Sequence, residues 1–538
     1  MPSSPVRENL SDFEQRFERL RARAGIVLAP LAFASILLLP LSDIPSAPEA
    51  RVPSSTVQAS QESGSASSPD KVKHKTLSPA AHRLAAIVAL VIVLWVTELI
   101  PMPATALLGP CLCVMMGVAS AKDVFAPFAN PLMFLFIGSF IIAQAIMCHG
   151  LDRRIAFGVL SLPWVGESPS RLLFACGAVT AGISAFISNT ATTAMMYAIV
   201  LGILRFLYSD DRVPGLSPRY ATGMMLMVSF AASVGGLATP IGTPPNVIGL
   251  GFIREQLHVE FPFFKWCAIG VPVTVALYLF IFLLLNTFCR AGLARLEGVR
   301  EIIKLERSSL GAWTQGQLST AGVFLFTAML WILPGVVAIV QGENSSEYRQ
   351  FITLMPEGVA GLLGALLLFF LPGGAGQRAM TWPEAAKIDW GVVLLYGGGF
   401  ALGELSFKTG LAEYMGHAFT SWLPATAGWW LMILAALFGV ICSEFTSNTA
   451  SANMIVPVVI SIAIASVGQD EALAAALVAT MAASLGFMLP VSTPCNAIVY
   501  GSGYIPLSRM IRYGFFVDVV GAVILVLAVK FLVPLLQS

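Results

Sequence analysis

Two apolar stretches, 171–207 and 427–466, are each long enough for a pair of membrane helices, and each carries Ser-Asn-Thr-Ala in its middle. An apolar run of about 20 residues spans the hydrocarbon of a bilayer, and unpaired backbone groups there cost several kcal/mol each. Non-helical chain at that depth is tolerated only inside protein or against a watery cavity. A chain that breaks two such stretches with hydroxyls and an amide is therefore constrained to fold them as hairpins around a shared polar centre. The rest of the sequence agrees with a polytopic membrane protein: 57% of residues are hydrophobic and 11% charged, against roughly 25% charged in soluble domains. A net charge of +1 says nothing about nucleic acid, and no basic tract with interleaved aromatics appears, so no nucleic-acid partner is expected. The eight cysteines are scattered without a CxxC pair and the five histidines stand singly, so the sequence offers neither a disulfide framework nor a His-based metal constellation.

Along the chain, a polar Arg-rich arm (1–24) precedes a first span (25–41), which reads as a signal anchor rather than a cleaved signal peptide. A Ser- and Pro-rich insert (42–79) reads as disordered. A first half, 84–288, contains spans at 84–100, 103–119 and 130–149, the hairpin 171–207, a segment at 220–252 and a span at 262–288. A charged connector, 289–316, leads to a second half, 317–538, with spans near 317–340, 357–371 and 388–412, the hairpin 427–466, and segments at 472–504 and 514–536. If each hairpin returns to its own side, about 11 spans result. The bias of Lys and Arg then puts the N-terminus inside, with Arg153, Arg154, Arg290, Arg295, Arg300, Lys304, Arg307, Arg509 and Arg512 on the same face.

The two halves repeat one another. Ser188-Asn189-Thr190-Ala191 recurs 259 residues later as Ser447-Asn448-Thr449-Ala450. Downstream, GLATPIGTPPNVI (236–248) aligns without gaps on GFMLPVSTPCNAI (486–498). By the charge count the first hairpin opens inward and the second outward, so the repeat is inverted, an architecture shared by many secondary transporters. Thr243-Pro244 and Thr493-Pro494 read as N-cap and first residue of restarting half-helices, and Ser-Asn-Thr as the cap of each return helix. Four helix N-termini then face the centre, which suits an anion. Carbonyls at Gly242 and Ser492, taken as the ends of the incoming half-helices, together with the nearby hydroxyl and amide oxygens, suit a small hard cation such as sodium. With no Lys or Arg in either block, a dianion binds well only once cations offset its desolvation.

These residues, with WVTELIP (95–101), FLFIGSF (134–140) followed by HGLDRRIA, and DWGVVLLYGGGFALGE (389–404), resemble the divalent anion/sodium symporter family, from about residue 84 to the C-terminus. The resemblance implies an all-α homodimer in the cell membrane. In each protomer a scaffold would carry a mobile transport domain with two re-entrant hairpins and two broken helices, moving as an elevator. It implies a first sodium site at Ser184, Ser188, Asn189 and Gly242, and a second at Ser443, Thr446, Asn448 and Ser492, with Ser447 beside it. Substrate carboxylates would meet Asn189, Thr190, Asn448 and Thr449, with Thr243, Thr493 and Pro494 completing the pocket. Where the first block has Pro244-Pro245 the second has Pro494-Cys495, so Cys495 is expected to alter one wall. Glu444 is read either as tuning the second cation site or accepting a proton, or as a structural hydrogen-bond partner. The functional expectation is sodium-coupled uptake of C4-dicarboxylates (succinate, malate or fumarate). Citrate or sulfate symport, sodium-independent exchange and an anion channel are the alternatives. An enzyme is disfavoured, because no His or Lys lies near any Ser-Asn-Thr.

Overall fold

The structure is a computed structural model that describes residues 12–38, 77–208, 215–420 and 427–537. Helices dominate, because a helix satisfies its own backbone in lipid. First come α1 (Asp12–Leu38), α2 (Pro79–Thr97), α3 (Met102–Met115), α4 (Ala121–Phe125), α5 (Pro131–Cys148) and α6 (Leu151–Leu160). The first Ser-Asn-Thr lies between α7 (Pro169–Ser184) and α8 (Asn189–Tyr208). Next are α9 (Pro218–Gly235), α10 (Pro244–Leu257), α11 (Phe263–Phe288) and the connector helix α12 (Val299–Ser309). The second half begins with α13 (Gln315–Gln341), α14 (Ser346–Leu354) and α15 (Glu357–Leu368), the last two bent by 52°. A two-strand ribbon, β1 (Pro372–Gly374) with β2 (Gln377–Arg378), leads to α16 (Trp382–Ala385), α17 (Trp390–Lys408) and α18 (Leu411–Thr420). The chain ends with α19 (Ala427–Phe445), α20 (Asn448–Ser466), α21 (Gln469–Ala482), α22 (Pro494–Tyr500) and α23 (Leu507–Gln537).

Among the described residues ten helices are long and apolar enough to cross a membrane, or eleven with the bent pair α14–α15. A single helix, α1, runs through the boundary that the sequence sets at 24/25 between arm and first span. The insert expected at 42–79 lies, save for its last three residues, outside the described residues.

Several helix starts share one pattern, a Ser or Asn cap followed by proline. Ser78 precedes Pro79 and accepts from the Ala81 N–H at 3.1 Å; Asn130 precedes Pro131 and accepts from Leu132 N–H at 2.9 Å. The cap takes up one orphan donor, and proline at the first position lacks the N–H that would be another. The same chemistry recurs at the polar centre.

The series α5 to α11 corresponds in order to α17 to α23. In each series the first helix is followed by a glycine at positive φ (Gly150 at 64°, Gly410 at 83°), where a side chain would be strained, and then by a ten-residue helix. With α7–α8 and α19–α20 as re-entrant hairpins, four crossings (α9–α10, α11, α13 and α14–α15) lie between α5 and α17, so these two helices run in opposite directions. The second series is therefore inverted relative to the first.

Packing divides the helices into two groups. The hairpins, the broken helices α9–α10 and α21–α22, α11 and α23 pack on one another; α2, α3, α5, α13, α15 and α17 form the other group, with α17 and α18 touching both. Within the first group the repeats cross: α9 packs on α22, and α10 on α21. In the second group, Gly138 of α5 lies so close to the backbone of α15 that a Cβ there would sit 2.4 Å from the Gly361 carbonyl carbon. Small residues permit such close helix contact where no hydrophobic effect drives association.

Candidate functional site

The two hairpin tips have matching geometry. Ser184, the last residue of α7, places its Oγ 2.8 Å from Asn189 Oδ1 and 2.7 Å from the Ala232 carbonyl. Ser443 on α19 does the same, 2.8 Å from Asn448 Oδ1 and 3.0 Å from the Ala483 carbonyl. Each hydroxyl has a single proton for two acceptors, so each tip carries a surplus of oxygen lone pairs directed inward. Ser188 and Ser447 cap the return helices, accepting from Ala191 N–H at 3.3 Å and Ala450 N–H at 3.2 Å.

The broken helices are matched as well. Their incoming halves stop earlier than the sequence reading had it, at Gly235 and Ala482, so Gly242 and Ser492 lie within unwound chain (236–243 and 483–493) rather than at helix ends. The reason is the side chain of Asn246, whose amide donates to the carbonyls of Gly236 (2.9 Å) and Thr239 (2.8 Å) and holds them out of any helix. Asn496 repeats this on Gly486 (3.1 Å) and Leu489 (3.0 Å). Both asparagines were missed as functional candidates, although both stand at equivalent positions in the aligned blocks. Asn496 Oδ1 also accepts from Ser229 Oγ at 2.6 Å, linking the second repeat to the first.

Thr243 and Thr493 are N-caps in extended backbone, each followed by proline, as expected. Only Thr493 uses its side chain, accepting from Asn496 N–H at 3.1 Å; the Thr243 hydroxyl makes no capping bond. Of the four helix N-termini expected at the centre, that of α22 opens a helix of only seven residues.

A cavity of about 570 Å³ opens between the tips. Ser188, Asn189, Thr190, Gly242, Thr243, Ser447, Asn448, Thr449, Ser492, Thr493 and Pro494 line it, so most of the residues singled out in the sequence come together. Ser184, Ser443 and Thr446 do not line it but lie buried behind the lining, with Thr446 Oγ1 bonded to the Cys442 carbonyl at 2.9 Å and Ser451 Oγ at 2.7 Å. Cys495 is in the wall, beside Thr190, Thr193 and Ser233. The mouth is made by Gln144 and Met147 in the last turns of α5 and by Lys387, Ile388 and Asp389 before α17. It therefore opens on the face that carries Arg153 and Arg154 of α6 and the connector helix α12. Lys387 and Asp389, the charged side chains of the lining, lie outside both repeat blocks; Asp389, which opens the 389–404 motif, also caps α17, accepting from the Val392 N–H at 3.3 Å. Chemically, the acceptor-rich tips suit small cations and the converging helix starts suit an anion.

The sequence matches the sodium:sulfate symporter transmembrane region over residues 73–537. The chain belongs to this family. Relatives include the sodium-dependent dicarboxylate transporters SdcS of Staphylococcus saprophyticus and Staphylococcus aureus. The first is 32% identical over 82% of this chain and 84% of its own length, the second 31% identical over the same shares. The family and these relatives are transporters, not enzymes. Two solved structures share the fold. One is the Alcanivorax borkumensis YdaH transporter, with TM-score 0.52, 13% identity, and 95% of this chain and 98% of that one covered. The other is Neisseria gonorrhoeae MtrF, an antimetabolite efflux pump, with TM-score 0.54, 12% identity, and 95% and 94% covered. The sodium:sulfate symporter assignment spans both hairpins and both broken helices and leaves α1 outside the matched region.

Proposed function

We propose that this sodium:sulfate symporter family member is a sodium-coupled transporter of C4-dicarboxylates in the cell membrane, with its N-terminus in the cytoplasm. It works as a homodimer, each protomer moving its hairpins and broken helices as an elevator against the other helix group. The observation that carries the reading is the pair of matching tips, in which one serine hydroxyl faces two acceptors. A cation at each tip would meet the lone pairs that the single proton leaves over.

The first sodium would be held by Ser184, Ser188, Asn189 and Gly242, and the second by Ser443, Thr446, Asn448 and Ser492. The substrate carboxylates would lie between Asn189 with Thr190 and Asn448 with Thr449, against Thr243, Thr493 and Pro494. Neither tip carries a Lys or Arg, so a bound dianion relies on the two cations and the helix starts for its counter-charge. That dependence is the physical basis of coupling. A cavity of about 570 Å³ holds a C4-dicarboxylate with room for its hydration to be exchanged. The names of the staphylococcal relatives support both the ion and the substrate class.

The test is uptake of labelled succinate, malate, fumarate, citrate and sulfate into proteoliposomes, in sodium and in choline buffer. Sodium-dependent, saturable uptake of one C4-dicarboxylate is expected. Equal uptake in the two buffers would remove symport.

A further inference from the structure

The cavity is uncharged at its tips and charged at its mouth. Of the residues that line it, Lys387 and Asp389 carry charge, and both sit on the short segment between α16 and α17. Asp389 is committed locally. Its Oδ1 accepts the Val392 N–H at the positive end of a 19-residue helix, which offsets its charge. Glu384, three residues before Lys387, is committed in the same way. Its Oε2 accepts the Thr381 N–H at 2.9 Å and the Thr381 hydroxyl at 2.6 Å, in the capping box of α16.

Lys387 has no such commitment. Its side chain is exposed and forms no ion pair among the described residues. The arginines of α6 on the same face are engaged elsewhere. Arg153 pairs with Glu306 at 2.9 Å, and Arg154 donates to the carbonyls of Leu310, Gly311 and Ala312 at 2.8, 3.1 and 3.0 Å. The mouth therefore presents one uncommitted positive charge to anything that enters.

Its position matters physically. A fixed cation at the tips would offset a dianion's desolvation without sodium, and the dependence on bound cations would be lost. A cation at a wet mouth adds little to binding in the site, but it draws anions in and raises their local concentration. The effect scales with ligand charge, so a dianion gains the square of the factor that a monoanion gains. Lys387 is also mounted apart from the hairpins: α16 before it packs on α5, and α17 after it packs on α3.

We propose that Lys387 recruits and selects dianions at the mouth of the cavity, acting through its field and not as a ligand in the site. The dianionic substrate and the restriction to one face rest on the sodium-coupled elevator reading above. In that cycle the hairpins carry the tips away from Lys387, so substrate arriving at the opposite face never meets it. Lys387 then sets apparent affinity on the face bearing Arg153 and Arg154, and on that face alone.

Two variants of the full chain test this. Lys387→Gln removes the charge and Lys387→Arg keeps it; the side chain is exposed, so neither disturbs packing. Succinate KM is measured at saturating sodium in everted and in right-side-out membrane vesicles, with choline chloride setting the ionic strength. In everted vesicles Lys387→Gln should raise KM about fivefold at about 0.1 M, where the Debye length is about 10 Å. The increase should shrink below about twofold at about 1 M, where that length is about 3 Å. Lys387→Arg should match the parent, and right-side-out vesicles should give one KM for all three proteins. An increase that persists at high salt overturns the proposal by showing a direct bond to substrate. An equal increase in both orientations overturns it too, since the residue would then travel with the hairpins.

A second measurement reads the field without transport. Cys148 is exposed at the end of α5, one residue beyond Met147 in the lining. In a Cys111→Ser background, the ratio of its reaction rates with an anionic and a cationic methanethiosulfonate is compared between parent and Lys387→Gln. The variant should lower the ratio by about threefold or more, and an unchanged ratio overturns the proposal. If the parent moves no succinate in either orientation, the dicarboxylate reading fails, and the thiol ratio still decides whether Lys387 sets the field at the mouth.

Discussion

At the scale of single residues, the site is built from short polar side chains that each do two things. Asn189 and Asn448 face the cavity while their Oδ1 atoms lie against the buried Ser184 and Ser443 hydroxyls. Asn189→Ala and Asn448→Ala should each abolish sodium-dependent succinate uptake while leaving yield and elution volume on size exclusion unchanged; near-normal uptake in either would undo the assignment. The two threonine caps separate structure from function more finely. Thr493→Val removes a capping hydrogen bond and should lower stability by about 1 kcal/mol in a thermal melt. Thr243→Val removes no such bond and should leave the melt unchanged, so an effect on succinate KM there reports contact with substrate. Asn246 and Asn496 carry the opposite emphasis. Replacing Asn496 by Ala leaves the Gly486 and Leu489 carbonyls without a donor in a dry interior, a loss of about 2–4 kcal/mol that melting should register even without ligand.

At the scale of elements, the hairpins and broken helices hold their places through backbone proximity rather than long side chains. A Cβ at Gly236 would sit 2.5 Å from Asn189 Oδ1, so Gly236→Ala should push the hairpin amide aside and remove transport without preventing folding. Gly182 on α7 has open space around it, and Gly182→Ala should transport normally and melt at the same temperature or slightly higher. Equal loss in both would show that the hairpin responds to helix propensity and not to this contact. The start of every element at the centre was legible, because Ser, Asn or Thr before a return helix and Thr-Pro before a restart are local signals with a local mechanism. The ends of α9 and α21 were not. They depend on where Asn246 and Asn496 send their amides, ten residues along the chain from Gly236 and Gly486, and no propensity in 236–243 or 483–493 reports that.

At the scale of the whole molecule, the cavity is reached from one face, between the ends of α5 and the approach to α17. With Cys111 and Cys148, the exposed cysteines, replaced by Ser, Lys387→Cys should react with a membrane-impermeant maleimide from the face bearing Arg153 and Arg154. Sodium and succinate together should slow that reaction, and reaction from the opposite face would contradict the geometry. By itself the sequence determined the membrane class, the duplication and its inversion, and most of the polar centre. These follow from hydrophobic length, charge bias and two repeated blocks, all of which are properties of neighbours along the chain. Only the tertiary structure decided which side the cavity opens to, that Lys387 and Asp389 stand at its mouth, and that α23 closes on the unwound segment 483–493 at Gly514. Those facts depend on how α17 and α23 pack against the hairpins. Packing between helices in lipid is set by close backbone contact at small residues such as Gly514 and Gly138, which carries no periodic signature of its own.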